Sequence, residues 1–164
     1  MRGDAPQALR MVLDTNVVVS GLLSHQGAAN ALLDLAVRHR ERLRLGASEE
    51  NRDELLATLR TPRLATRIRA RGQTPEALYM FYVTMTDPAV PATLWRGHWS
   101  SDPDDDAFLA TAFAFGAYLL VSRDGDLLKL KQFYSCQIAV ALLEQVAEHL
   151  PPLGLQGNDR ISAP

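Results

Sequence analysis

Six of the chain's twelve aspartates lie between Asp102 and Asp126, in the runs Asp102-Pro103-Asp104-Asp105-Asp106 and Asp124-Gly125-Asp126. Another, Asp14, interrupts an apolar stretch: Met11-Val12-Leu13 precede it, and Val17-Val18-Val19 follow Thr15-Asn16. A charge in such a place is costly unless it is paired, hydrogen-bonded or metal-bound. Carboxylates gathered at one point repel each other and take up protons unless something positive sits among them. With only oxygen donors nearby, that partner would be a hard divalent cation, Mg²⁺ or Mn²⁺ rather than zinc. The four histidines (His25, His39, His98, His149) follow no ligand spacing.

Each acid also has an ordinary explanation. Asp102 before Pro103 is a helix start, with aspartate at the N-cap and proline at the first helical position. Asp104, Asp105 and Asp106 suit the positive end of that helix's dipole. Asp124-Gly125 is a common turn, and Glu54, just before Leu55-Leu56, could be a solvated helix residue. Together the positions favour one shared site more than any of them does alone.

Charge is unevenly distributed. From Arg38 to Arg71 there are ten arginines against five acids, while the rest of the chain carries seven basic and fourteen acidic residues. A basic segment beside concentrated acid suggests a polyanion and a cation bound at different places. Arg63, Arg67 and Arg71 recur at helical spacing, Arg60 stands just before them, and no acid occurs between Leu55 and Pro75. This stripe is a candidate for holding a phosphate backbone without reading bases, or else a solvated face. Trp95 and Trp99 could stack on bases, though core or interface packing is the commoner role of large aromatics.

The elements that must position these residues alternate. The Met11 stretch reads as a buried strand ending at Asp14, with Asn16–Leu23 beginning a helix or turn. A helix follows over 27–42, then a strand over 43–47. Ser48 N-caps a helix to Leu59, and Pro62 and Pro75 open two more, to Arg71 and to Thr86. Residues 87–91 form a turn with a short strand. A nearly all-apolar helix over 103–115, capped by Gly116, should be central. Tyr118–Ser122 and Cys136–Ala139 are strands, and Val140–Leu150 is an amphipathic helix. Alternating strands and helices predict an α/β fold, a three-layer α/β/α sandwich with a mainly parallel central sheet. One domain over 11–150 is expected, with an N-terminal extension over 1–10 and a flexible tail over 151–164. Sites in such sheets form outside the carboxyl ends of the strands, where Asp14 and Asp124 fall. A single cysteine, Cys136, excludes a disulfide framework and fits a reducing cytoplasm. No apolar run reaches a membrane span and no signal-peptide pattern opens the chain, so a cytoplasmic protein with no membrane partner is expected.

Four ordered motifs resemble those of PIN domains: Val12-Leu13-Asp14-Thr15-Asn16-Val17; Ser48, five residues, then Glu54-Leu55; Asp102-Pro103-Asp104-Asp105 with Phe108-Leu109; and Leu120-Val121-Ser122-Arg123-Asp124. The resemblance covers about Arg10 to Leu150 and is greatest to bacterial members described as toxins of toxin–antitoxin pairs. It implies Mg²⁺- or Mn²⁺-dependent endonucleolytic cleavage of single-stranded RNA, a cognate antitoxin that blocks the site, and often a homodimer. It assigns the acidic quartet to Asp14, Glu54, Asp105 and Asp124, with Asp102 a frequent further acid and Asp106 an alternative to Asp105. Asn16 and Ser122 fall on the polar supports. The chain departs from the pattern at Arg123, where the family often has glycine; an arginine there would partly neutralise Asp124. Three other readings compete. A catalytically weak PIN-like module would only bind RNA or protein. A Mg-dependent phosphatase of the haloacid-dehalogenase type needs a second aspartate where Asn16 stands. A receiver-like signalling domain would want its acids beside the first strand's end.

Overall fold

The computed structural model describes residues 7–91 and 99–140. Their elements run β1 (Leu9–Leu13), α1 (Thr15–Leu23), α2 (Ala28–Arg38), β2 (Leu43–Gly46), α3 (Glu49–Leu59), α4 (Pro62–Ala70), α5 (Pro75–Met85), a 3-10 turn (Pro103–Asp105), α6 (Asp106–Phe115), β3 (Leu119–Val121), α7 (Gly125–Leu130), β4 (Gln132–Phe133) and β5 (Cys136–Ala139). The strand order is β2-β1-β3-β5-β4. All pairings are parallel except β4 with β5.

Alternation along the strands builds the layers. Leu9, Met11 and Leu13 of β1 and Leu119 and Val121 of β3 face one core with α1 to α5. Val12 and Leu120 face a second core with Phe108, Leu109 and Ala112 of α6 and Leu127 of α7. A sheet covered on both faces explains why its strands read as continuous apolar runs, and the sandwich is the one the alternating pattern predicts. Gly21 lets α1 and α2 close up, because a Cβ there would collide with Leu33 and the Ala29 carbonyl.

Several boundaries differ from the sequence-based expectation. β1 starts at Leu9, and Arg10 is anchored in place as its Nη1 donates to the Phe115 carbonyl at 3.1 Å. The helix or turn expected from Asn16 is the helix α1, which begins one residue earlier, as soon as β1 ends, with the amides of Val17 and Val18 bonded to the Asp14 carbonyl. α2 stops at Arg38 rather than Arg42, because the amides of Arg42 and Leu43 turn back to the His39 carbonyl to enter β2. The helix expected over 103–115 opens as a 3-10 turn before α6. α7 and β4 were not expected. The segment after α5 forms no strand of its own where a short one was expected; it makes two isolated parallel bridges, Leu45–Thr86 and Ser48–Val90. Trp95, most of the expected helix over 140–150 and the tail lie outside the described residues. Among the described residues, no helix is long and apolar enough to cross a membrane.

Candidate active site

β1 leads to β2 on one side of the sheet and lies beside β3 on the other, so the strand order reverses at β1. Such a switch point opens a crevice at the carboxyl ends of the strands. Leu13 pairs with Val121, so the residues just after both strands arrive side by side. Asp14 follows β1; its amide donates to the Val121 carbonyl at 2.9 Å. The Ser122 hydroxyl donates to Asp14 Oδ2 at 2.7 Å, with both side chains buried. The same Ser122 oxygen accepts from the Asp124 amide at 2.9 Å. Ser122 thus joins the two acidic strand ends. Asp124 Oδ1 caps α7, accepting from the amides of Asp126 at 2.8 Å and Leu127 at 3.4 Å. The second oxygen of Asp124 takes no part in that cap.

Asp105 and Asp106 are separated by their bonds. Asp106 Oδ1 accepts from the backbone amides of Trp99 at 3.3 Å and Ser100 at 2.9 Å, so it fastens the segment ahead of α6. Asp105 accepts one hydroxyl, from Ser100, at 3.2 Å. Asp102 caps the 3-10 turn through the Asp104 amide at 3.0 Å. Glu54 comes from α3, whose start is fixed by a reciprocal cap between Ser48 and Asn51. Thr111 of α6 donates to Ser48 Oγ at 2.9 Å, which ties α3 to α6.

Burial and neighbouring charge act on these acids together. Burial raises Asp14 above the ordinary aspartate value, the Ser122 bond counteracts this, and the charge of Asp124 adds to it. Asp105 is pushed up to about 6, first by burial and then by Asp124, with Asp102 and Asp14 adding while Ser100 opposes. Glu54 stands exposed at the rim, yet partial loss of water and the charges of Asp14, Asp104 and Glu50 raise it. The Thr15 hydroxyl faces Glu54 and offsets part of this without reaching ordinary hydrogen-bond geometry; Thr15 Oγ1 is buried and otherwise unpartnered. The charge of Asp14 thus acts on Glu54 and Asp105, and that of Asp124 on Asp14 and Asp105, the four residues that the resemblance assigns to the acidic quartet.

Raised carboxyls held by hydroxyls and backbone form an oxygen-only donor set, which suits a hard cation. Among the described residues, no three histidine, cysteine, aspartate or glutamate side chains already stand grouped for an ion. The fit is thus one of donor chemistry and charge.

A groove of about 690 Å³ opens beside the rim. Asn16, Ser20 and Ser24, a polar stripe along α1, line one wall; Arg63, Arg67 and Arg71 line the other, and no acid lines it. Arg71 donates to the Leu23 carbonyl at the end of α1. Arg60 does not join them: its Nε meets Glu76 Oε1 at 2.8 Å across an exposed surface. Trp99 is half-buried and meets the Phe133 ring edge-on at 5.5 Å, the packing role rather than an open stacking platform. Arg123 turns away from Asp124, its Nη1 donating to Ser20 Oγ at 3.3 Å, so it does not neutralise that acid by contact. Ser100 and the α1 stripe escaped the sequence reading. Polar residues at positions 16, 20 and 24 were the available signal for the stripe.

Fold and site together define a carboxylate-rimmed α/β domain with an adjoining basic groove. Residues 10–126 match the family described as PIN domain, and the chain belongs to that family. PIN domains are generally nucleases, hydrolases that typically use divalent metals. Among curated proteins, none matches the chain.

Proposed function

We propose that this protein is a Mg²⁺- or Mn²⁺-dependent endoribonuclease that hydrolyses phosphodiester bonds of single-stranded RNA, and that it is the toxin of a toxin–antitoxin pair. What supports the nuclease reading is the mutual charge among Asp14, Asp105, Asp124 and Glu54, where burial and neighbouring acids raise three of them. A divalent ion bound there lowers the pKa of a water and offsets phosphate charge. Asp14 and Asp105 would hold it, with Asp124 and Glu54 completing the shell and Asp102 adding negative field. Ser122 keeps the Asp14 carboxylate oriented, and the exposed Asn16 amide orients water or phosphate at the mouth of the groove. Asp106 serves this arrangement indirectly, by fastening residues 99–100. Arg63, Arg67 and Arg71 hold the backbone of the strand, which the acidic rim alone would repel.

The toxin role rests on the likeness of the four motifs to the bacterial toxin group. It brings with it a cytoplasmic setting, a cognate antitoxin that blocks the rim, and a homodimer. Incubation with a panel of single-stranded RNAs, with and without Mn²⁺, tests the nuclease reading: metal-dependent internal cuts are expected. Metal binding or RNA binding with no cleavage of any RNA would leave a binding module instead. Copurification with the product of a small neighbouring gene, and relief of growth arrest by it, tests the toxin role.

A further inference from the structure

Arg123 occupies a place that the acidic quartet leaves unexplained. It stands between Ser122, which bonds Asp14, and Asp124, which caps α7. An arginine between two site residues would be expected to pair with the neighbouring acid. Its side chain instead crosses to α1 and reaches Ser20, a groove-lining residue, and among the described residues it makes no ion pair. The guanidinium is exposed, and a single hydrogen bond uses one of its five N–H donors. The remaining donors form a planar fork suited to phosphate oxygens. Asn16, one turn earlier on α1, lines the same groove and lies two residues from Asp14. From Asn16 to Ser24 the α1 wall runs about 12 Å at about 1.5 Å per residue, room for consecutive phosphates.

We propose that Arg123 is a substrate-positioning residue that grips the RNA phosphate where the arginine groove meets the acidic rim. Arg63, Arg67 and Arg71 hold the strand along the groove, and Arg123 fixes which phosphate reaches the rim. Ser20 preorganises the guanidinium, so less freedom is lost when phosphate binds. This inference rests on the nuclease reading and deepens it.

The test separates the two. The Asp14→Asn protein, with EDTA present so that no cleavage occurs, is titrated with a fluorescent mixed-sequence single-stranded RNA of twelve nucleotides over a range of KCl. The same is done with Asp14→Asn carrying Arg123→Gln and carrying Arg123→Lys, with thermal melts to check folding. Loss of Arg123 should weaken binding about tenfold, the worth of one charge-assisted hydrogen bond, and flatten the salt slope by about 0.7. Lysine should restore the slope without the full affinity, because it lacks the fork. Absence of any RNA binding by Asp14→Asn at low salt overturns the nuclease reading itself. RNA binding with affinity and slope unchanged by Arg123→Gln overturns only the role of Arg123. Tighter, Arg123-dependent binding of poly-glutamate than of RNA would assign the junction to an acidic protein and overturn the RNA assignment.

Discussion

At the carboxyl ends of β1 and β3, Asp14 is buried and tied to Ser122, and Asp105 is fixed by Ser100. Along the neighbouring groove, Arg63 and Arg67 are exposed on α4 and make no ion pair among the described residues. Asp14 is held directly after a strand of the sheet and Asp105 by the turn that opens α6; the arginines are held by one face of a surface helix. Charge costs the fold most where it is most constrained, at the rim. On the exposed helix it costs little and stays free to meet a ligand. The rim should therefore trade stability against chemistry, whereas the groove should alter binding with the fold indifferent.

The sharpest way to break this contrast is Asp14→Asn. The amide oxygen can still accept the Ser122 hydroxyl, and a charge that burial disfavours is removed. Cleavage should fall by at least on the order of 10²–10³-fold, comparable to deleting one preorganised electrostatic group elsewhere. The melting temperature should hold or rise. Initial rates on one RNA and a thermal melt, taken together, check this. Retained metal-dependent activity would remove Asp14 from the chemistry, and a large loss of stability would show that its charge supports the fold.

The groove gives the next largest effect. Changing Arg63, Arg67 and Arg71 together to Gln should flatten the salt slope of RNA binding by about 2, at about 0.7 per phosphate contact on a single strand. Melting should shift little, because only Arg71 makes a bond worth noting, to the Leu23 carbonyl. An unchanged slope would confine the groove to a solvated face.

A subtler probe uses pH. Asp105 moves from its ordinary value of 3.8 to about 6 in the folded chain. Between those values the folded state binds more protons than the unfolded one, so stability from this group is full below about pH 4 and lost as pH rises through 6. Without metal, the wild-type melting temperature should fall across that window relative to Asp105→Asn. Mn²⁺ should erase the difference by favouring the ionised form. Melts in matched buffers from pH 4 to 7, with and without Mn²⁺, measure it; parallel wild-type and variant curves would place Asp105 outside the acidic field.

What the sequence revealed follows the same division. Asp14 and Asp124 were legible because each breaks or ends an apolar run, where a charge demands a reason, whereas Asp105 sits in an acidic run that a helix start already explains. The layered sheet was legible because strands covered on both faces read as solid apolar segments. α7 was not, since its six residues open on Asp124-Gly125, which looks like a turn; only the aspartate's bonds to two amides reveal a helix start. The wall of Asn16, Ser20 and Ser24 was hidden because residues 16–23 read as the beginning of a helix or of a turn, and the β-branched Val17–Val19 give no strong helical signal. Packing against α2 holds the segment as the helix α1. Which of Asp105 and Asp106 faces the rim depended on residues 99–100, whose amides claim Asp106 through a loop with no periodic signal.

Arg60 is the smallest test and the most discriminating of the contrast itself. By spacing it belongs with Arg63, yet its guanidinium is committed to Glu76 on the far end of an exposed pair, 2.8 Å apart. Such a pair contributes little to stability, roughly 0.2–1 kcal/mol, and the arginine does not line the groove. Arg60→Gln should therefore leave RNA affinity and its salt slope within error, with a melting shift of about 4 °C at most by that same roughly 0.2–1 kcal/mol. If it instead weakens binding as much as Arg63→Gln does, the basic surface works through its overall field rather than through side chains lined up along α1. The distinction between a built groove and a diffuse positive patch would then dissolve, because a long-range field is indifferent to which face of the helix an arginine occupies.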